Sequence, residues 1–89
     1  MDKHEGTVLL VEDDRSIRRG LFTTLSALGF VLGEAETGEE ALMRLRMAAY
    51  DAVLMDLNMP GMGGIEACRR VRKEYPHISI LVVLSLIHI

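Results

Sequence analysis

The hydrophobic positions of the chain fall into short continuous runs separated by longer stretches with helical spacing. Continuous runs rich in leucine and β-branched residues are typical of strands buried on both faces. Four such runs are present, and they cover residues 7–11, 30–36, 52–57 and 78–84. Each is separated from the next by a stretch long enough for a helix. We therefore expect four strands connected by three helices.

The three intervening stretches place apolar residues every three or four positions, which predicts amphipathic helices. The first helix is expected to begin with Asp14 or Ser16 as its N-cap and to stop at Gly29. Thr37 and Glu40 have the spacing of a capping box at the start of the second. The predicted apolar faces comprise Ile17, Leu21, Leu25 and Leu28, then Ala41, Leu42, Leu45 and Ala49, and then Ile65, Cys68, Val71 and Tyr75.

This alternation of strands and helices with short connections predicts an α/β fold. Parallel strands joined by helical crossovers form a sheet that is covered by helices on both faces. We therefore expect a doubly wound, mostly parallel sheet. With 89 residues, the chain is long enough for one small domain, which we assign to residues 1–89.

Composition narrows the class of protein. Hydrophobic residues make up 49% of the chain and charged residues 26%, as in globular domains. The formal net charge of -3 argues against direct nucleic-acid contact by this domain. The single cysteine, Cys68, excludes an internal disulfide framework. No signal peptide precedes the first run, and the apolar stretch 78–89 is too short to span a bilayer. These features predict a cytoplasmic domain without membrane contact.

Acidic residues stand at the ends of two predicted strands. Asp13 and Asp14 follow the first run, and Asp56 lies near the end of the third. Ligands of open parallel sheets bind at the carboxyl ends of the strands, so these side chains are expected to meet in one pocket. Their mutual repulsion requires a cation or a shared proton. Because oxygen ligands suit Mg²⁺, which often shares a phosphate, the cluster predicts magnesium-dependent phosphoryl chemistry.

Two motifs carry a family resemblance. The chain closely resembles the receiver domain of two-component response regulators through Val11-Glu12-Asp13-Asp14 at the end of the first strand and Met55-Asp56-Leu57-Asn58-Met59-Pro60-Gly61 at the end of the third. The resemblance extends from residue 7 to about residue 84. It implies a flavodoxin-like receiver fold whose function is to accept a phosphoryl group from a histidine kinase. On this interpretation the chain is a phosphoacceptor and not an enzyme.

The resemblance also implies roles for individual residues. Asp56 matches the phosphoacceptor and a metal ligand, and Asp14 matches the direct Mg²⁺ ligand. Asp13 matches the second acidic residue of the metal site. Asn58 matches the position whose backbone carbonyl completes that site. Ser85 falls where the family has a switch hydroxyl.

The partners implied by the resemblance are a sensor histidine kinase or a phosphotransfer domain. Arg15, Arg18 and Arg19 lie off the apolar face of the first helix, on the element with which family members tend to contact that partner. Phosphorylation is expected to control a DNA-binding output domain outside this chain, and thereby transcription. The full-length parent is expected to form a homodimer when it is phosphorylated.

Alternative interpretations remain open. The parent protein is either a transcription regulator, a stand-alone receiver or a receiver linked to an enzyme. A magnesium-dependent aspartyl phosphohydrolase has a similar topology. Such enzymes typically carry a second aspartate two residues after the nucleophile, where this chain has Asn58. A pseudo-receiver that only binds partners is disfavoured by the three carboxylates.

The carboxyl end of the chain departs from the family pattern. Receiver domains have five strands, and four are expected here, so the fifth strand and its conserved lysine would be absent. Residues 84–89 match the translation of a transposon-end adapter used in sequencing libraries. We therefore expect this tail to be non-biological and Ser85 to be a coincidental match. The alternative is a natural extension of the fourth strand, and the coding DNA distinguishes the two.

Overall fold

A computed structural model of the protein describes residues 5–57 and 63–83. These residues form four strands and three helices in strict alternation, as the sequence predicts. The strands are β1 (Gly6–Val11), β2 (Phe30–Ala35), β3 (Ala52–Asp56) and β4 (Ser79–Val83). The helices are α1 (Arg15–Ala27), α2 (Gly38–Met47) and α3 (Gly64–Glu74).

The four strands form one parallel sheet in the order β2-β1-β3-β4. Val11 at the end of β1 pairs with Ala35 of β2 on one side and with Met55 of β3 on the other. The chain leaves β1 towards β2 and later returns to its opposite side with β3. The gap between the carboxyl ends of β1 and β3 is therefore the topological switch point, where open α/β sheets bind ligands. This architecture confirms the predicted fold class.

The helices cover the two faces of the sheet unequally. Leu9 and Val53 are fully buried and pack with α2 and α3 in the main core. Leu10 and Leu54 point to the opposite face, where they line a small space together with Leu21 of α1. The main core comprises Leu9, Val11, Ala35, Ala41, Leu42, Leu45, Val53, Met55, Ala67, Val71 and Ile78.

Local sequence signals determine where the helices begin and end. The Thr37 Oγ1 atom accepts a hydrogen bond from the backbone N–H of Glu40 at 3.0 Å, which confirms the predicted cap of α2. The Glu40 carboxylate accepts from the N–H of Glu36 at 2.8 Å, one residue before the cap. After α1, Gly29 adopts a φ of 103°, a conformation that favours glycine. At the start of α3, Gly63 provides no side-chain cap.

Four side chains differ from their predicted environments. Ala49, assigned to the apolar face of the second helix, is exposed and lies beyond the end of α2 at Met47. Leu28 and Ile65, both assigned to apolar helix faces, are each 61% exposed. Arg18 was expected off the buried face of α1 and is only 7% exposed. The outer strand β4 also presents apolar side chains to solvent, since Leu81 is 56% and Val82 52% exposed. Among the described residues, no helix has the length and apolar character needed to cross a membrane.

Candidate functional site

Three carboxylates converge at the switch point between β1 and β3. Glu12 and Asp13 follow β1 directly, and Asp56 is the last residue of β3. One oxygen from each of these three side chains lies within 4.8 Å of the others. The register explains the convergence. Because Val11 pairs with Met55, the next residues along the two strands, Glu12 and Asp56, leave the sheet side by side.

The three carboxylates differ in burial. Glu12 is 3% exposed and Asp56 is 2% exposed, whereas Asp13 faces solvent. Burial raises the pKa of Glu12 from 4.5 to about 7, and the neighbouring Asp56 carboxylate adds to the rise. The backbone N–H of Asp14, which donates to Oε2 of Glu12 at 3.0 Å, acts in the opposite direction. Little water is available here to screen negative charge, so in the absence of a cation the site disfavours the ionised form of Glu12.

Asp14 has a different position from the other acidic residues. Its Oδ1 atom accepts a hydrogen bond from the backbone N–H of Ile17 at 3.0 Å, so it is the N-cap of α1. The converging group of carboxylates does not include it. The structure thus brings together two of the predicted acidic site residues, Asp13 and Asp56, and adds Glu12 to them.

Glu12 was part of the motif identified in the sequence, but no role was assigned to it there. Strand periodicity contains the signal that identifies it. Successive residues of a strand point to opposite faces, so Glu12 continues the side of Leu10, as Asp56 continues the side of Leu54. If the two strand ends are aligned so that residues on the same face lie side by side, Glu12 lies next to Asp56.

Two further predicted site residues, Asn58 and Ser85, lie outside the described residues. The same holds for the whole tail 84–89. Their predicted roles, the carbonyl ligand and the switch hydroxyl, therefore stay predictions.

The donor set of the cluster fits a hard divalent cation. All three converging side chains offer carboxylate oxygens and none offers nitrogen or sulfur, which favours Mg²⁺ over softer metals. A cation at this point would also offset the repulsion between the buried Glu12 and Asp56 carboxylates. The residues present are therefore compatible with the magnesium ion that the sequence predicts.

Comparison with known proteins identifies the family. Residues 8–86 match the response regulator receiver domain. The chain belongs to this family. The match agrees with the expectation that the chain is a signalling phosphoacceptor domain of a two-component system and not an enzyme in its own right.

Two relatives show how much of a longer protein the chain resembles. It is 40% identical over 78 residues to the response regulator GacA of Pseudomonas viridiflava, covering 85% of this chain and 36% of GacA. It is 42% identical over 71 residues to the transcriptional regulatory protein ResD of Bacillus subtilis, covering 80% of this chain and 30% of ResD. The chain thus spans about a third of the length of these relatives.

Solved structures show the same fold. The response regulator TrrA of Thermotoga maritima, crystallised in complex with Mg²⁺-BeF, matches with a TM-score of 0.86 and 33% identity. That match covers 99% of this chain and 73% of TrrA. TrrA in complex with the histidine kinase ThkA matches with a TM-score of 0.85 and 33% identity, over 99% of this chain and 72% of TrrA.

Proposed function

We propose that Asp56 accepts a phosphoryl group from the phosphohistidine of a sensor histidine kinase or a phosphotransfer domain. The convergence of Glu12, Asp13 and Asp56 at the switch point of the sheet is the observation that carries this proposal. A receiver-family chain with an almost fully buried aspartate at this point has a nucleophile held in place by the strand itself.

In the proposed transfer, a carboxylate oxygen of Asp56 forms the new bond to phosphorus. The phosphorus–nitrogen bond of the phosphohistidine breaks, and the imidazole nitrogen leaves with the electron pair and takes up a proton. Glu12, Asp13 and Asp56 would hold Mg²⁺, together with the predicted carbonyl of Asn58. When bound, the ion supplies positive charge that offsets the charge on the carboxylates and on the phosphoryl oxygens.

In this proposal Glu12 is a metal ligand, a role that the sequence motif alone assigned to Asp14. Its carboxylate belongs to the converging group, while that of Asp14 is engaged with the start of α1. The role of Asp14 is then to fix the direction in which α1 leaves the site, because an N-cap side chain anchors the first helical turn.

The partner and output belong to the same proposal. The complex of TrrA with ThkA supports a histidine kinase as the phosphoryl donor. The name of ResD, a transcriptional regulatory protein, supports a longer protein that regulates transcription. The DNA-binding output domain expected from the sequence stays a prediction. A homodimer of the phosphorylated parent and a cytoplasmic location, both expected from the sequence, stay predictions.

Labelling with a small phosphodonor tests the proposal without knowledge of the kinase. The chain is incubated with a radiolabelled acyl phosphate and Mg²⁺, and we expect label that is stable in acid and lost in base, as an aspartyl phosphate is. The Asp56→Asn variant should remain unlabelled.

The matched control is Asp51→Asn, at the amino end of the same strand. Asp51 is exposed, and its Oδ2 atom accepts from the N–H of Thr7 at 2.8 Å, a bond that an asparagine oxygen can also accept. This variant should be labelled like the unsubstituted chain. Equal labelling of Asp56→Asn would contradict the proposal.

A further inference from the structure

Arg18 is buried beside the acidic site, which is unusual for an arginine on an amphipathic helix. Only 7% of the residue is exposed, although the sequence pattern placed it off the apolar face of α1. Arginine is seldom buried unless its guanidinium is fully engaged. Its hydrogen bonds therefore indicate what the side chain does.

The guanidinium of Arg18 contacts three residues on two other segments. Its Nη1 donates to the backbone carbonyl of Glu12 at 2.8 Å in a buried hydrogen bond. Its Nε donates to Oε1 of Glu34 at 2.9 Å, and its Nη2 donates to Oε2 of Glu36 at 3.5 Å. The side chain thus ties the end of β1 to the end of β2 from the helix that follows the site.

These contacts fix the peptide that carries the candidate metal ligands. The backbone N–H of Glu12 donates to the carbonyl of Ala35 at 3.1 Å, while its own carbonyl accepts from Arg18. Glu12 is therefore held at both ends of its backbone. Because that carbonyl belongs to the peptide that leads into Asp13, Arg18 fixes the point at which the chain turns into the acidic cluster.

The planar geometry of the guanidinium suits this arrangement. Arginine presents several N–H donors in one plane, and one head group can serve a carbonyl and two carboxylates together. The two glutamates balance its charge, so that a buried cation next to the metal site is paired. The network continues to the surface, where the Glu40 carboxylate accepts a hydrogen bond from the backbone N–H of Glu36 and forms an ion pair with Arg44 at 3.3 Å.

We propose that Arg18 is a positioning residue for the metal-binding carboxylates of Glu12 and Asp13. The proposal rests on the proposed function, because it assigns to Arg18 the orientation of that magnesium site. A merely structural role is the alternative: the arginine would then stabilise the fold through Glu34 without affecting the site.

Mg²⁺ affinity separates these two roles. The chain has no tryptophan, so the titration follows backbone amide signals in NMR spectra, with Mg²⁺ alone as the probe. Arg18→Met keeps a long side chain but removes every donor, and we expect the dissociation constant to rise about tenfold or more, as on losing a group that orients metal ligands. Arg19→Met, an exposed neighbour on α1, should bind like the unsubstituted chain.

Two further variants test the same point. Glu34→Gln removes the charge of the ion-pair partner but leaves the Arg18 bond to the Glu12 carbonyl, so it should lower the melting temperature with little change in Mg²⁺ affinity. Arg18→Lys keeps the positive charge but removes the planar guanidinium, and one ammonium group cannot reproduce its set of hydrogen bonds. It should weaken Mg²⁺ binding as Arg18→Met does, and it serves if the methionine variant does not fold.

Hydrogen exchange in the metal-free chain gives a second measurement. The N–H of Asp14 bonds the Glu12 carboxylate, and we expect it to exchange faster in both Arg18 variants but not in Arg19→Met. If the Arg18 variants show unchanged Mg²⁺ affinity and unchanged hydrogen exchange at Asp14, the positioning role is contradicted but the metal site is not. Absence of Mg²⁺ binding in the unsubstituted chain would contradict the metal site itself, and the positioning role with it.

Discussion

A Cβ atom added to Gly64 would lie 2.6 Å from the backbone carbonyl oxygen of Asp56. It would also lie 2.6 Å from the Cα atom of Leu57. The first residue of α3 therefore touches the end of β3 at the position of the candidate phosphoacceptor. A side chain here meets backbone, which cannot move aside as the end of a flexible side chain can.

Gly64→Ala is expected to destabilise the fold. The added methyl group would push α3 away from the end of β3, and such overpacking typically costs about 1–3 kcal/mol. The control is Gly20→Ala in α1, where, apart from the neighbouring helix backbone, no atom of the described residues lies within 4 Å of the added Cβ. A gain of up to about 1 kcal/mol is expected there from helix propensity. Urea denaturation measures both changes. A Gly64→Ala variant as stable as Gly20→Ala would contradict the close approach.

Substitution of neighbouring aspartates separates the metal ligands from the helix cap. Asparagine caps a helix as well as aspartate does, so Asp14→Asn should preserve both stability and Mg²⁺ affinity. Asp13→Asn removes a charged oxygen from the cluster and should weaken Mg²⁺ binding by about tenfold or more. Magnesium titration followed by NMR compares the two. If Asp14→Asn loses the metal and Asp13→Asn keeps it, the assignment from the motif alone is right and the geometric one is wrong.

Stability of the metal-free chain should depend on pH through Glu12. Its pKa is raised from 4.5 to about 7 by burial, so the folded state keeps a proton that the unfolded chain releases. The contribution of this group to the free energy of unfolding therefore decreases as pH rises from about 4.5 to about 7.

The Glu12→Gln variant isolates that contribution, because glutamine does not titrate. Its stability relative to the unsubstituted chain should increase between about pH 5 and about pH 8. Urea denaturation in the presence of a chelator gives the difference at each pH. A difference that is the same at both values would show that Glu12 is not the titrating group.

Gly63 leaves the start of α3 without a side-chain cap, and a serine should supply one. The glycine already has the extended backbone of an N-cap, with φ -64° and ψ 157°. Within the described part of the chain, no atom beyond its two chain neighbours lies within 4 Å of an added Cβ. Gly63→Ser is therefore expected to exceed Gly63→Ala in stability by about 0.5–1 kcal/mol. Comparing these two variants removes the effect of losing glycine flexibility. Equal melting temperatures would mean that the serine hydroxyl does not cap α3.

The order of elements was predictable because its signals are local. A buried parallel strand such as Val8 to Val11 is apolar at consecutive positions, and Gly29 and Thr37 mark helix ends by chemistry that depends on few neighbours. The strand end that carries Asp56 was predictable for the same reason. These features need no knowledge of which strands become neighbours.

Features that depend on strand register were harder to predict. The role of Glu12 follows from the pairing of Val11 with Met55, and strand periodicity in the sequence restricts this register without fixing it. Arg18 was expected off the buried face because it is not among the apolar positions that recur along the helix. Its burial requires Glu34 and Glu36, which reach it only once β2 lies beside β1.

The identity of the phosphorylated residue tests the central claim most directly. The chain is treated with a small phosphodonor and Mg²⁺, reduced with borohydride, which converts an aspartyl phosphate to homoserine, and mapped by mass spectrometry of its peptides. We predict homoserine at position 56 alone, and none when Mg²⁺ is removed with a chelator. Homoserine at position 13 or 14 instead, or no conversion at position 56, would contradict the assignment of Asp56 as the phosphoacceptor.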